Sequence, residues 1–219
     1  MRKKVMVIAT HPDDEILGCG GVIAKHVSNK DIVKTVVVCE GMTLRYNDSD
    51  IDLDKCRIKS AEVLGVHESC CLYKRDQRLD TIPMLELVQA IEKEVNEFEP
   101  NIIYCQNGKD INYDHKMVFE AAQVAVRPLN KNIEEVYTFY TPSSTEWGCP
   151  IDFVPDTWVD ISDYLEVKIK AFSCYATEIK EFPHPRSIDN LKYMAYFFGA
   201  QANMNAAECL KTIKRYVRK

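Results

Sequence analysis

Apolar positions in the first two thirds of the chain follow two alternating rhythms. Residues 4–9 (KVMVIA) form a short unbroken apolar run, as expected of a strand buried on both faces. Residues 15–27 then place Ile16, Val22, Ile23 and Val27 at helical spacing. A turn at Asn29-Lys30-Asp31 leads into a second β-branched run, residues 32–39 (IVKTVVVC). Residues 54–64 read as a helix stopped by Gly65, and 69–73 as a weaker strand. Residues 84–98 predict an amphipathic helix with Leu85, Val88, Ile91 and Val95 on one side, followed by Pro100. A fourth strand at 101–105 (NIIYC), a helix at 115–126 ending before Pro128, and a fifth strand at 136–140 continue the alternation.

Strands separated by helices of this length predict βαβ units, so the fold class is α/β, with a mostly parallel sheet and helices on both faces. The rhythm changes near residue 141. Pro142, Pro150 and Pro155 mark an irregular stretch, residues 157–161 read as one more strand, and helices are expected at 162–175, 188–199 and 204–217. This gives a mixed, largely helical C-terminal part. With no internal repeat, low-complexity tract or linker, residues 1–219 are expected to form one domain.

Composition narrows the function classes. The chain is 46% hydrophobic and 28% charged, with a net charge of -5, which argues against a general nucleic-acid binder. No apolar run approaches the length of a membrane span. The apolar run near the N-terminus is too short for a secretory h-region. The nine cysteines include no Cys-x-x-Cys pair, and Cys19, Cys39 and Cys105 sit in apolar stretches. They read as free thiols in a reducing, cytoplasmic setting. A homo-oligomer is compatible with all of this.

Candidate chemistry concentrates where the first strand meets the first helix, at Ala9-Thr10-His11-Pro12-Asp13-Asp14-Glu15. Ligands of open parallel sheets bind at this edge. The spacing of three between His11 and Asp14 can aim an imidazole and a carboxylate at one point, and both are good zinc ligands. Asp13 would be left beside the metal as a base. An aspartate at a helix start also caps free N–H groups, which accounts for one acid but not for the whole cluster. Of the five histidines, His26 is expected on a solvated helix face and His67 in a surface loop. His115 follows the fourth strand and opens the next helix, at the same sheet edge as His11. Two histidines and one aspartate leave a fourth zinc position open, the pattern of a catalytic site.

These residues resemble the LmbE-like, or PIG-L, deacetylases, whose signature is Ala-His-Pro-Asp-Asp-Glu after the first strand; here Thr10 stands between Ala9 and His11. Further segments are similar to a bacterial subgroup of surface-polysaccharide or nucleotide-sugar pathways: Glu40-Gly41-Met42-Thr43-Leu44-Arg45, Asp76-Gln77-Arg78-Leu79-Asp80, Asp110-Ile111-Asn112-Tyr113-Asp114-His115 and Phe182-Pro183-His184-Pro185-Arg186-Ser187. The resemblance implies a Rossmann-like fold and one zinc ion per chain held by His11, Asp14 and His115. It also implies Asp13 as general base and hydrolysis of an N-acylated sugar or nucleotide-sugar. Many members carry a histidine, thought to act as acid or to stabilise the oxyanion, where this chain has Asn112, which can donate a hydrogen bond but not a proton near neutral pH, so either Asn112 stabilises the oxyanion alone or another group is the acid. His184 is then the candidate acid, with Asp13 as the other proton source. Arg45, Arg57, Arg78 and Arg186 are candidates for gripping the substrate. Glu15, Asp110 and Asp114 are candidates for orienting the metal ligands. Tyr113 and Trp147 are placed to stack on a sugar or to pack.

Two rival readings fit part of the sequence. Gly18-Cys19-Gly20-Gly21 invites a non-catalytic nucleotide- or sugar-binding module, but it is not Gly-x-Gly-x-x-Gly at the turn, and close helix packing explains it better. A metal-dependent phosphoesterase would gather more carboxylates around two ions.

Overall fold

A computed structural model describes residues 2–41 and 52–218; Arg45 and residues 42–44 of its loop lie outside the described residues. Among the described residues, seven strands form one sheet in the order β3-β2-β1-β4-β5-β7-β6. β1 (Lys4–Ala9), β2 (Ile32–Cys39), β3 (Glu68–Lys74), β4 (Ile102–Cys105) and β5 (Glu135–Phe139) run parallel. β6 (Thr157–Asp160) and β7 (Ala207–Arg215) join antiparallel. One face is covered by α1 (Asp14–Ser28), α2 (Leu53–Leu64), α5 (Leu165–Phe172) and α6 (Ile188–Gln201), the other by α3 (Met84–Phe98) and α4 (Tyr113–Ala125). Val5 and Val7 of β1 enter one core, Met6 and Ile8 the other, and all four are fully buried. That is why β1 reads as unbroken apolar sequence. No helix among the described residues is long and apolar enough to cross a membrane.

Strand order reverses between β1 and β4. The chain leaves β1 for β2 and β3 on one side, then returns to β4 and β5 on the other. The loops after β1 and β4 diverge to opposite faces and open a crevice between them, where such sheets take their ligands.

Several expectations need correction. Residues 204–217 are not a helix; their core is β7, inserted between β5 and β6. Leu210, Ile213 and Val217 mimic helical spacing, and Ala207–Leu210 are all buried, so no strand alternation shows. The helix expected at 162–175 is only α5. On α3, Leu87 is fully buried with Val88, Ile91 and Val95, while Leu85 is 64% exposed. His26 is not solvated: it bridges Asp31 Oδ2 (2.7 Å) and the Tyr104 hydroxyl (2.9 Å), tying the end of α1 to β4. All nine cysteines are free thiols.

The glycine run serves close packing. A Cβ at Gly18 would stand 2.1 Å from Phe139 Cδ2, and one at Gly21 2.8 Å from Ile161. α1 breaks at Cys19 (φ -146°, ψ 28°), and the buried Glu208 carboxylate caps its resumed half by accepting from the N–H groups of Gly21 (3.0 Å) and Val22 (2.7 Å). Phe139 is fully buried in β5 and has little room to yield. Gly18→Ala is therefore expected to lower stability by about 1–3 kcal/mol in urea denaturation, the usual cost of overpacking; an unchanged midpoint would show that the contact relaxes freely.

Candidate active site

The sequence after β1 builds one arm of the site. Pro12 has no N–H and starts the turn. Asp14 Oδ2 accepts the His11 N–H at 2.9 Å. Asp13 adopts φ 106°, a left-handed conformation that aspartate tolerates better than most residues and that tends to persist at functional sites. The second arm follows β4. Asn112 caps α4, its Oδ1 accepting the Asp114 N–H (2.9 Å), while its own N–H donates to Asp110 Oδ1 (2.9 Å). This sets His115 in the first turn of α4, 1% exposed. Gln106 ties the arms together, accepting from the Thr10 N–H (3.4 Å) and donating to Thr141 Oγ1 (2.8 Å).

The arms bring three donors to one point. His11 Nδ1, Asp14 Oδ2 and His115 Nε2 form a triangle with sides of 3.3, 3.2 and 3.2 Å. Tetrahedral zinc with ligands at about 2.0–2.2 Å has ligand–ligand edges of roughly 3.3–3.6 Å. The triangle therefore matches one face of such a site. Asp14 Oδ1 is buried and has no hydrogen-bond partner, an acceptor that a cation held between these three donors would satisfy. The outer ring nitrogens face carboxylates. His11 Nε2 lies 3.0 Å from Asp76 Oδ1 and 3.5 Å from Asp114 Oδ2, and His115 Nδ1 lies 3.1 Å from Asp110 Oδ2. Protons on those nitrogens leave the inward ones free to bind metal. Asp114 is itself fixed by the Leu79 N–H (3.3 Å).

Electrostatics point the same way. Burial opposes an imidazolium at His11, but Asp114, Asp14 and Asp76 outweigh it and hold its pKa well above the ordinary value. At His115 burial is likewise outweighed by Asp14 and Asp110. Burial of Asp14 is overcome by His115 and His11, which hold its carboxyl well below the usual range. The cluster is a buried cage of carboxylates short of positive charge. His11, Cys39 and Asp114 also gather within 4.8 Å, but they share the His11 ring and so extend this centre instead of forming an independent second one. Burial pushes the Cys39 thiol up to about 11.

Asp13 faces elsewhere. Its Oδ2 accepts from Arg186 Nη1 at 2.9 Å, and the same Nη1 lies 3.0 Å from Glu178 Oε2. Arg186 Nε donates to Ser143 Oγ (2.7 Å). A second brace runs through the backbone: the Asp13 N–H donates to Glu15 Oε2 (3.1 Å), whose Oε1 accepts the hydroxyl of fully buried Tyr175 (2.8 Å). Burial, with Asp14, Glu178 and Glu15 adding and Arg186 opposing, holds the Asp13 carboxyl well above the ordinary carboxylate range. Burial also raises Glu15, to about 7.

His11, Asp13, Asn112, Glu178 and Arg186 line a hollow of about 20 Å³, room for one water-sized group. It adjoins a cavity of about 460 Å³ to which Asn112, Ser143, Trp147, Glu178, His184 and Arg186 contribute. His184 thus stands in the outer wall and does not line the inner hollow. Its Nδ1 accepts the Arg186 N–H (3.0 Å), and burial with Arg186 and Lys180 lowers its pKa.

The other sequence candidates separate. Arg186 is at the site but engaged with Asp13. Glu15 holds the backbone of Asp13 instead of a metal ligand, whereas Asp110 and Asp114 sit on the histidine rings. Arg57 is not at the site: it is buried, grips Asp54 through Nε (2.9 Å) and Nη2 (2.8 Å), and donates to Ser69 Oγ (2.6 Å), clamping α2 to β3. Arg78 is exposed beside Gln77, whose amide lies 3.3 Å from His11 Nε2. Asp76, Ser143, Tyr175 and Glu178 escaped the reading of the sequence. Only Asp76 had a local signal, its place in the Asp76–Asp80 segment.

Residues 6–126, more than half of the chain, match the family described as PIG-L, GlcNAc-PI de-N-acetylase. The uncharacterized deacetylase YaiS of Escherichia coli K12 is 27% identical over 176 residues, 78% of this chain and 89% of YaiS. The diacetylchitobiose deacetylase of Thermococcus kodakarensis is 26% identical over 228 residues, 96% of this chain and 83% of that enzyme. Among solved structures, the conserved protein TT1542 from Thermus thermophilus superposes with a TM-score of 0.82 at 19% identity, covering 99% of this chain and 97% of that one. The 4-carboxy-2-hydroxymuconate hydratase GalB of Pseudomonas putida KT2440 does so at 0.78 and 20%, covering 99% and 98%. Such structures show the fold alone, and a hydratase among them illustrates that fold does not fix reaction. The family match is more telling, because it spans both arms, from β1 with His11, Asp13 and Asp14 through α4 with His115. The chain belongs to the PIG-L family of deacetylases.

Proposed function

We propose that this chain is a zinc-dependent enzyme hydrolysing an N-acetyl, or other short N-acyl, amide on an amino sugar or sugar conjugate. The observation that carries this reading is the three-donor triangle with an orphaned carboxylate oxygen, set beside Asp13 at the foot of an open cavity. His11, Asp14 and His115 would hold the ion. When bound, it supplies a Lewis acid that polarises the acyl carbonyl and acidifies water.

The chain's own groups do the rest. Asp13 takes the proton of the attacking water as the new C–O bond forms. Arg186, anchored on Ser143, keeps that carboxylate oriented. Asn112 has committed its Oδ1 to the cap of α4, which leaves its amide N–H as the donor toward the developing oxyanion. As the C–N bond breaks, Asp13 returns the proton to the leaving amine; a carboxylate and a free amine depart. Asp13 suits both steps because it lines the hollow and His184 does not. His184 has its Nδ1 occupied, so its Nε2–H is a hydrogen-bond donor in the cavity wall.

The test is acetate release from a panel of N-acetylated sugars by zinc-loaded protein, with metal analysis alongside. About one zinc per chain and chelator-sensitive release are expected; metal-free protein, or release indifferent to chelators, would overturn the reading. His184→Gln separates wall from acid. A wall residue raises KM several-fold and leaves kcat within about threefold, whereas loss of a general acid lowers kcat by about 10²-fold or more.

A further inference from the structure

The cavity above the hollow continues past Trp147. A larger cavity of about 710 Å³ lies against the far side of a ridge made by Ile111 and Trp147, and these two residues line both spaces. They are 54% and 53% exposed. Each space falls within the size range of small-molecule sites, so one sugar at the metal would leave the second empty. The ridge is registered to the metal centre. Thr145 Oγ1 donates to Asp110 Oδ2 (3.3 Å), the carboxylate that also faces His115, and the Ile111 N–H donates to the Ser144 carbonyl (3.4 Å). His184 meets the Trp147 ring edge-on, centroids 5.7 Å apart at 85°.

The lining of the far cavity limits what enters it. Phe119 lies against Gly108, where a Cβ would be 2.0 Å from Phe119 Cδ1, so the ring and the glycine backbone form a flat apolar patch. Around it stand Lys109, Lys116, Glu120, Gln123 and Asp152. Lys109 and Asp152 pair at 3.6 Å. Among the described residues this cavity contains no arginine, and its two lysines are offset by Glu120 and Asp152. A phosphate or nucleotide would call for uncompensated cations, and a lipid chain for an apolar wall. Aromatic faces amid balanced hydrogen-bonding groups suit the C–H face and hydroxyls of an uncharged sugar ring.

We infer that this groove is the substrate track, and that the substrate is a neutral glycan of at least two sugar units. The acylated unit sits at the metal and the next crosses Trp147 toward Phe119. This rests on the deacetylase reading above and deepens it.

The test uses zinc-loaded enzyme with N-acetylglucosamine, its β-1,4-linked dimer and trimer, and UDP-N-acetylglucosamine. The expected kcat/KM rises about tenfold or more from monomer to the longer sugars, and Trp147→Ala collapses that ratio toward one while Trp147→Phe keeps most of it. A wild-type ratio below about twofold, equal losses on monomer and trimer in Trp147→Ala, or preference for the nucleotide-sugar would each overturn the inference. Monomer turnover without a length effect would leave the deacetylase reading standing. If no probe releases acetate, trimer binding still decides the groove. Quenching of tryptophan fluorescence by the trimer, weakened in Trp147→Ala, supports it; its absence overturns it.

Discussion

Asp13→Asn is expected to keep about one zinc per chain and to lower kcat by about 10²–10⁴-fold, the range that a positioned general base contributes. The substitution is nearly isosteric, and asparagine also tolerates the left-handed backbone that this position adopts at φ 106°. Arg186 keeps Glu178 at 3.0 Å and Ser143 at 2.7 Å, so the wall does not collapse. The metal ligands are untouched, because the Asp13 carboxylate bonds Arg186 at 2.9 Å and neither histidine ring. What disappears is the ability to accept and return a proton. The loss should therefore fall on kcat with KM little changed, since the interaction acts in the transition state more than in the ground state. Wild-type turnover would remove Asp13 as the base, and loss of zinc would place it among the ligands instead.

The candidate base and the candidate metal ligands could be picked out of the sequence because they are local. His11, Asp13 and Asp14 fall within four consecutive positions at a strand–helix junction, and His115 opens a helix after another strand at the same sheet edge. A switch point in a parallel sheet brings such junctions together whatever lies between them. The braces on Asp13 have no such rule. Arg186 comes 173 positions later, Tyr175 bonds Glu15 across 160, and Ser143 meets Arg186 across 43. Those pairings depend on how the C-terminal segments fold back over α1, which is also where the pattern of apolar residues misled. β7 is an antiparallel strand held between two others, so its buried half loses the alternation that identifies a strand. Arg57 shows the converse. An arginine in a helix has the chemistry to bind a substrate, and only its contacts with Asp54 and Ser69 reveal that its donors are occupied.

Removing the metal should abolish turnover and also weaken the fold. Asp14, Asp76, Asp110 and Asp114 are each at most 2% exposed around the His11 and His115 rings. Without a cation their charges repel in a region of low dielectric. At a free zinc concentration about 100 times Kd, binding adds about 2.7 kcal/mol of stability. For a chain of this size each kcal/mol moves Tm by about 2–4 °C, so chelation should lower Tm by about 5–10 °C. The effect has a predictable pH dependence. In the metal-free protein the surrounding carboxylates raise the pKa of both His11 and His115 above the unfolded value of 6.5. A raised histidine contributes stability that is fully present below the unfolded pKa and is lost as pH rises through the folded one. Protons thus stand in for the cation in acid; that substitute begins to fade above about pH 6.5 and is lost as pH rises through the raised folded values of the two histidines. The zinc-dependent gain in Tm is expected to be small near pH 5.5 and to grow toward pH 8, and His115→Ala should abolish the gain at every pH. Thermal melts with and without chelator across that range measure it. A gain that stays flat or shrinks with rising pH would mean that the ion is not bound between these two rings.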